Sequence, residues 1–312
     1  MKPHTSSSLT PTPPARAHAL PPLPVPTPSP MASLLGSLLG GGGGGGGGGG
    51  RRLSAKQLLE RLGSATQLDD RREALEGFKE LSQSEALRLI DRGGIGLLVS
   101  LAADPDTVLA RDALEILVNL CDVAVPAVLP EDKPHANRVA GEHNTDVLLS
   151  NAVHLPAVLG ALQEDDFYIR FHALALLQRL LANAPDRTHA ALLAAPAAVG
   201  YVLGLLDDER EVVRNEALQL LCSLMPLAPP ELANILAFQG AFEQLLRIAE
   251  AISGGEASDT ADAGAAAVLR DVLEAIGQLL ASHPANRRLF VEGECLSCLL
   301  YTSDAADEED SV

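Results

Sequence analysis

Leucine recurs along this chain at helical spacing, and the spacing itself repeats. Arg-x-x-Ala-Leu stands at Arg71–Leu75, Arg170–Leu174 and Arg214–Leu218. In two looser copies Arg111 precedes Ala113-Leu114, and Arg270 precedes Val272-Leu273. We take Ala74, Ala113, Ala173, Ala217 and Val272 as anchors. Position +1 is then always leucine (Leu75, Leu114, Leu174, Leu218, Leu273), and so is position +7 (Leu81, Leu120, Leu180, Leu224, Leu279). Position +4 is always large and apolar: Phe78, Leu117, Leu177, Leu221 and Ile276. Position +3 is Gly77, Ile116, Leu176, Leu220 and Ala275, and position −4 is aliphatic in four copies (Leu109, Ile169, Val213, Val268). Positions −4, 0, +3, +4 and +7 share one face of an α-helix, so the pattern predicts five helices with a long apolar stripe. The exception at −4, Asp70, fits a first helix with a more polar face, as end repeats tend to have.

The anchors are 39, 60, 44 and 55 residues apart. Two stretches in the long intervals read as loops, Pro126 to Asn144 and the small, acidic Ser253 to Gly264. Without them each interval approaches 40 residues, the period of armadillo and HEAT units of two or three helices. Shorter apolar stretches, Gly96–Ala102, Pro156–Leu162 and Gly200–Leu206, run into acids: Asp104/Asp106, Glu164/Asp165/Asp166 and Asp207/Asp208. An acid ahead of a helix accepts from its free N–H groups and meets the positive end of its dipole. Each unit therefore reads as helix, acidic turn, long helix. The predicted fold is an all-α, armadillo/HEAT-like right-handed α-solenoid, whose units bury their apolar faces only by stacking.

Composition sharpens this picture. Trp is absent, and Tyr and Phe number three and six, which favours packed helices over sheets. Residues 1–50 hold a Pro/Ser/Thr-rich stretch and the glycine run Gly40–Gly50, too little apolar surface to fold, so they read as a disordered arm. The arm admits three readings: a transit peptide, a flexible arm, or translated untranslated sequence with Met31 as the start. It contributes +2 through Lys2 and Arg16, so of the net −18 residues 51–312 carry −20. Such a surface repels phosphate backbones and anionic headgroups, which argues against direct nucleic-acid binding. Cysteine usage suggests a reducing compartment.

No chemistry-bearing motif stands out. Cys295-x-x-Cys298 has the spacing of half a zinc site, but no second pair of ligands accompanies it. His135, His143, His154, His172 and His189 are scattered, and the glycine run lacks the Lys-Ser/Thr of a phosphate loop. The expectation is a binding protein, not an enzyme, with no cofactor and no metal. Candidate protein-binding residues are Phe167, Tyr168, Arg170, Arg214 and Asn215. Phe167-Tyr168 is an aromatic pair beside an acidic turn, a common interface anchor, although Phe167 fits equally as a staple at a helix start. Arg71, Arg170 and Arg214 recur at one repeat position, where each is expected to pair with its own unit's turn: Asp69, Asp166, and Glu209 or Glu211.

Four segments carry a more specific signal: Leu68-Asp-Asp-Arg-Arg72, Glu164-Asp-Asp-Phe-Tyr-Ile-Arg170, Arg210-Glu-Val-Val-Arg-Asn-Glu-Ala-Leu218 and Leu236-Ala-Phe-Gln-Gly-Ala-Phe-Glu243. Together they resemble the armadillo-like head of the general vesicular transport factor family, from about Lys56 to about Glu294. The resemblance implies a cytoplasmic protein, peripheral on Golgi membranes, that captures vesicles before fusion in ER-to-Golgi and intra-Golgi transport. It implies Rab-family GTPase, golgin and SNARE partners, indirect contact with vesicle and Golgi membranes, and a homodimer in the full-length protein. The family's coiled coil has no counterpart here, and the Pro126–Asn144 and glycine segments match no family feature. Cys298–Glu308 resembles a translated sequencing-library adaptor, so residues 51–297 read as a truncated head and 298–312 as non-native. The competing reading is another armadillo adaptor, serving transport or a chaperone cycle without tethering.

Overall fold

A computed structural model describes residues 53–83, 92–123, 134–253, 262–293 and Cys295. In chain order the helices are α1 (Ala55–Ser64), α2 (Leu68–Gln83), α3 (Arg92–Ala102), α4 (Thr107–Cys121), α5 (Pro134–Leu149), α6 (His154–Gly160) and α7 (Phe167–Asn183). There follow α8 (Pro185–Leu193), α9 (Pro196–Gly204), α10 (Glu211–Leu224), α11 (Pro230–Phe238), α12 (Ala241–Ser253), α13 (Asp262–Ser282) and α14 (Pro284–Glu292). Among the described residues every regular element is helical. The predicted arm 1–50 and tail 298–312 lie outside them.

The five predicted long helices are α2, α4, α7, α10 and α13. They stack in that order as one ladder. All five anchors are wholly buried, at 0% exposure. Two parallel ladders complete an α-solenoid: α3, α6 and α9 pack in series, and so do α5, α8, α11 and α14. The units are thus of three helices. The shorter apolar stretches became α3, α6 and α9, the last two closed by a turn of 3₁₀ helix.

The acidic turns cap as expected in two units. The Asp106 carboxylate accepts from the Leu109 N–H at 3.0 Å, and Asp166 from those of Tyr168 and Ile169 at 2.8 and 3.1 Å. The third differs. The residue before α10 is Arg210, which gives no side-chain cap, and Asp208 accepts the Arg210 N–H at 2.8 Å instead.

The Pro126–Asn144 stretch was expected as a loop, yet its second part is helical. Pro134 opens α5, a first-turn position that needs no N–H. Gly141 lets α5 approach the end of α4: a Cβ there would lie 2.8 Å from Val123 Cγ1 and 3.2 Å from the Cys121 and Asp122 carbonyls. The glycine that read as a loop signal is a packing contact. The second loop shrinks likewise, since Ser253 closes α12 and Asp262 opens α13. Residues 126–133 and 254–261 lie outside the described residues.

One device was not foreseen. The carbonyls at position +7 stand near the end of each long helix from α4 onward, where intrahelical donors run out; of the four, Leu180 still accepts the Ala184 N–H at 2.9 Å. Each accepts from a buried side chain of the α5/α8/α14 kind. Asn144 serves Leu120 at 2.8 Å, Thr188 serves Leu180 at 3.0 Å, His189 Nε2 serves Leu224 at 3.1 Å and Asn286 serves Leu279 at 2.9 Å. This polar latch fixes the opening helix of one unit across the end of a long one.

Candidate protein-docking surface

The apolar stripe of each long helix faces inward, so the opposite side of the ladder is presented outward. Its polar positions interlock in a register. Position +5 of one long helix meets position −1 of the next: Lys79 and Asp112 at 3.1 Å, Gln178 and Glu216 at 2.9 Å, Cys222 Sγ and the Asp271 carbonyl at 3.4 Å. The α4–α7 step breaks the pattern, because Val118 and His172 occupy those positions.

At that step the side chains differ in kind. Phe167, Tyr168, Phe171 and His172 form one cluster on the first turns of α7. The Phe167 and Tyr168 rings meet edge-on at 4.9 Å, Phe167 and Phe171 stack at 5.9 Å, and Phe171 meets His172 edge-on at 5.5 Å. Two guanidiniums flank it, from neighbouring units. Arg111 of α4 lies 5.6 Å from the Tyr168 ring centre, and Arg210 lies 5.2 Å from that of Phe167. All four cluster residues are half-buried, and Phe167 packs against the core. The packing of Phe167 on the core fits its reading as a staple at the helix start.

Beside it lies a charged cluster. Lys79 pairs with Asp112 and, at 2.7 Å, with Glu115, and His172 Nε2 lies 3.9 Å from Glu115. Burial alone would lower the Lys79 pKa, but the two carboxylates outweigh it and raise it. Burial pushes His172 down to about 4; Glu115 opposes this, while Lys79 and Arg111 reinforce it. His172 is therefore neutral at pH 7. Burial also pushes the Cys121 and Cys222 thiols up to about 12, far from a reactive thiolate.

The other predicted site residues take structural places. Arg170 pairs with Asp208 at 2.7 Å and donates to the Glu164 carbonyl at 2.7 Å. Arg71 pairs with Asp104 at 2.8 Å, and Arg72 grips Asp106 through both oxygens. These acids belong to the following unit's turn, not the arginine's own as expected. A residue three before the anchor points across the stack, so the pairing ties units together. Arg214 alone stays home, donating to the Asp208 and Glu209 carbonyls at 2.7 and 3.3 Å. Asn215 is exposed on the outward side of α10. Phe167 and Tyr168 are thus brought together with Arg111 and Arg210, which sequence reasoning did not single out. Their signal was present but non-local: each arginine sits in a neighbouring unit near the level of the aromatic pair.

Comparison with known proteins places this ladder. No protein-family model matches the chain. Golgin candidate 6 of Arabidopsis thaliana is 33% identical over 206 residues, 64% of this chain and 22% of that protein. General vesicular transport factor p115 of Homo sapiens is 28% identical over 254 residues, 81% of this chain and 26% of that protein. The chain is a homologue of the general vesicular transport factors. The budding-yeast protein transport protein USO1 is 25% identical over 279 residues, 82% of this chain and 15% of that protein. The chain thus spans at most about a quarter of the length of these relatives. In fold, a crystal structure of Uso1 superposes with a TM-score of 0.63 at 23% identity, covering 80% of this chain and 39% of that one. A designed armadillo repeat protein for modular peptide recognition superposes at 0.55 with 16% identity, over 82% of this chain and 99% of that one. Both support the armadillo architecture.

Proposed function

We propose that this chain is the head of a vesicle-tethering factor, acting by holding other proteins. The similarity to general vesicular transport factors across the long-helix ladder carries this reading. The physical side agrees. The outward face of the ladder is continuous across five helices and rich in side chains suited to protein contact, with the aromatic cluster near its centre. The designed armadillo protein recognises peptides in modular fashion, and an extended segment laid across this ladder is the corresponding mode here. The inferred setting is ER-to-Golgi and intra-Golgi transport, in the cytoplasm and peripheral on Golgi membranes. Rab-family GTPases, golgins and SNAREs are the inferred partners, with homodimerisation a property of the full-length tether. Phe167, Tyr168 and Asn215 are the proposed contacts, while Arg170 and Arg214 hold the turns beneath them.

The test is dominant competition. Excess chain added to a reconstituted ER-to-Golgi transport reaction is expected to inhibit it, by occupying partners without bridging membranes. A Tyr168→Ala, Asn215→Ala variant of unchanged helicity is expected to inhibit less. Absence of inhibition at saturating chain overturns the tether-head reading and favours the adaptor alternative.

A further inference from the structure

Resting on that docking reading, we propose that the α7 aromatic cluster takes an extended, proline-rich segment of a protein partner, with a basic residue at the segment's end. The rings supply the apolar part of the site. Phe167 and Phe171 lie within 24° of parallel, while Tyr168 stands edge-on to Phe167 at 68°. Half-buried rings lose little freedom when a partner covers them, and polyproline helices dock on aromatic-lined surfaces.

The donors beside the rings favour one backbone conformation. Arg210 lies over Phe167, and Arg111 lies over Tyr168 and otherwise reaches only Asp112, at 3.4 Å. A guanidinium that lays its face on a ring keeps in-plane N–H groups for oxygen acceptors. A polyproline helix has no internal hydrogen bonds, so its carbonyls are free to accept, and its prolines bring no N–H that needs a partner. An α-helix frees carbonyls only at its last turn. The centroid distances put the two guanidiniums within about 16 Å of each other, the rise of about five residues of polyproline helix at about 3.1 Å each. A segment of that length crosses the rings from one arginine to the other.

Charge sets the rest. Glu164 and Asp165 ahead of α7, and Glu209 and Glu211 on either side of Arg210, are exposed and have no ion-pair partner among the described residues. Asp166 by contrast caps α7, and Asp208 pairs with Arg170. These free acids outnumber the two guanidiniums, so an acidic rim surrounds the aromatic centre. An acidic segment is repelled by that rim, within a screening length of about 8 Å at physiological salt. Proline is uncharged and passes over the arginines without penalty, and a basic residue at the segment's end meets the rim carboxylates.

Fluorescence anisotropy on the full chain tests this. The probe is a short fluorescein-labelled peptide of repeated Pro-Pro-Leu ending in Arg, compared with one ending in Glu and one with Ala in place of every Pro. The Arg-ended proline peptide is expected to bind best, and the Ala version about tenfold more weakly. Tyr168→Ala is expected to weaken the proline peptide about tenfold, and Arg210→Ala severalfold, with unchanged thermal melting. Glu209→Gln combined with Glu211→Gln is expected to remove the preference for the Arg end. Arg210 and both glutamates are exposed, so their variants stay informative should Tyr168→Ala disturb the fold. Equal or tighter binding of the Ala version assigns the site to a helix and overturns the proposal. So does tighter binding of the Glu-ended peptide, which assigns it to an acidic segment, and so does indifference to Tyr168→Ala. Failure of every peptide alongside inhibition in the transport assay overturns this proposal while leaving the docking head intact.

Discussion

The +1 leucines of the middle units and of the last unit are the same residue at the same helical position in opposite surroundings. Leu114 and Leu174 are 0% exposed, whereas Leu273 is 44% exposed. The difference lies in what stacks beyond. The helices α4 and α7 each have a long helix on both sides, while among the described residues no long helix follows α13. A +1 leucine is therefore a joint between units, unlike the anchor, which is equally buried in all five. An α-solenoid couples nearest neighbours, so its stability at any position reflects how many neighbours are present.

The largest expected effect breaks this comparison directly. Leu174→Ala removes a side chain packed on all sides and is expected to cost about 2–5 kcal/mol, through lost burial and the cavity left behind. Leu273→Ala, in chemical terms the same change, is expected to cost under about 1 kcal/mol. Urea denaturation of the two variants reads the difference. Equal costs mean that Leu273 is covered in solution.

The latch predicts the next effect. Asn144→Leu keeps the heavy-atom count and branching but strips the donor from the Leu120 carbonyl, leaving a buried acceptor unpaired. The expected loss is about 1–3 kcal/mol. Asn215→Leu, on an exposed site, is expected to stay within about 0.5 kcal/mol. Thermal melts of both report whether the latch stabilises the stack or is incidental.

The charged cluster at the α4–α7 step adds a pH signature. His172 has a folded-state pKa near 4, below its ordinary 6.5. Above pH 6.5 it is neutral whether folded or not, and stability is unaffected. Below that the unfolded chain takes up the proton and the folded one resists, so stability falls as pH drops toward about 4, by up to about 1.4 kcal/mol per unit. His172→Gln is expected to flatten that part of the wild-type curve. Denaturation midpoints at pH 7 and pH 5 for both proteins decide it, and a wild-type slope unchanged by the substitution removes His172 as its source.

Much of this architecture was legible because the stripe is periodic. Five anchors and their +4 and +7 neighbours sit on one helical face, and burial of that face follows from stacking. The helices α5, α8 and α11 were harder. Each carries proline or glycine, and its burial depends on a neighbouring unit rather than on its own periodicity. The latch residues are polar, so their burial reads from sequence as exposure. The Arg71–Asp104 and Arg170–Asp208 pairs went to the wrong unit because sequence proximity favoured the nearer acid. The aromatic cluster was half visible. Phe167-Tyr168 announces itself, but Arg111 and Arg210 join it only once three units are stacked.

The smallest effects test the same distinction between the joints and the free helix, through sign rather than size. Gly240 links α11 to α12 with φ +94, in the left-handed region that a Cβ disfavours. Gly240→Ala is expected to cost about 1 kcal/mol, although its new methyl would meet only the Glu243 side chain at 3.6 Å. Gly277 sits inside α13, exposed, with open space where a Cβ would stand. There alanine removes only the entropic penalty of glycine, so Gly277→Ala is expected to stabilise by about 0.5–1 kcal/mol. Thermal melts of the two should move in opposite directions. Should both fall, position 277 is occupied in solution, since only a neighbour pressed against α13 turns an open helical glycine into a contact. That result would agree with equal costs for the two leucines, and the exposed face of α13 would then join the middle of the stack.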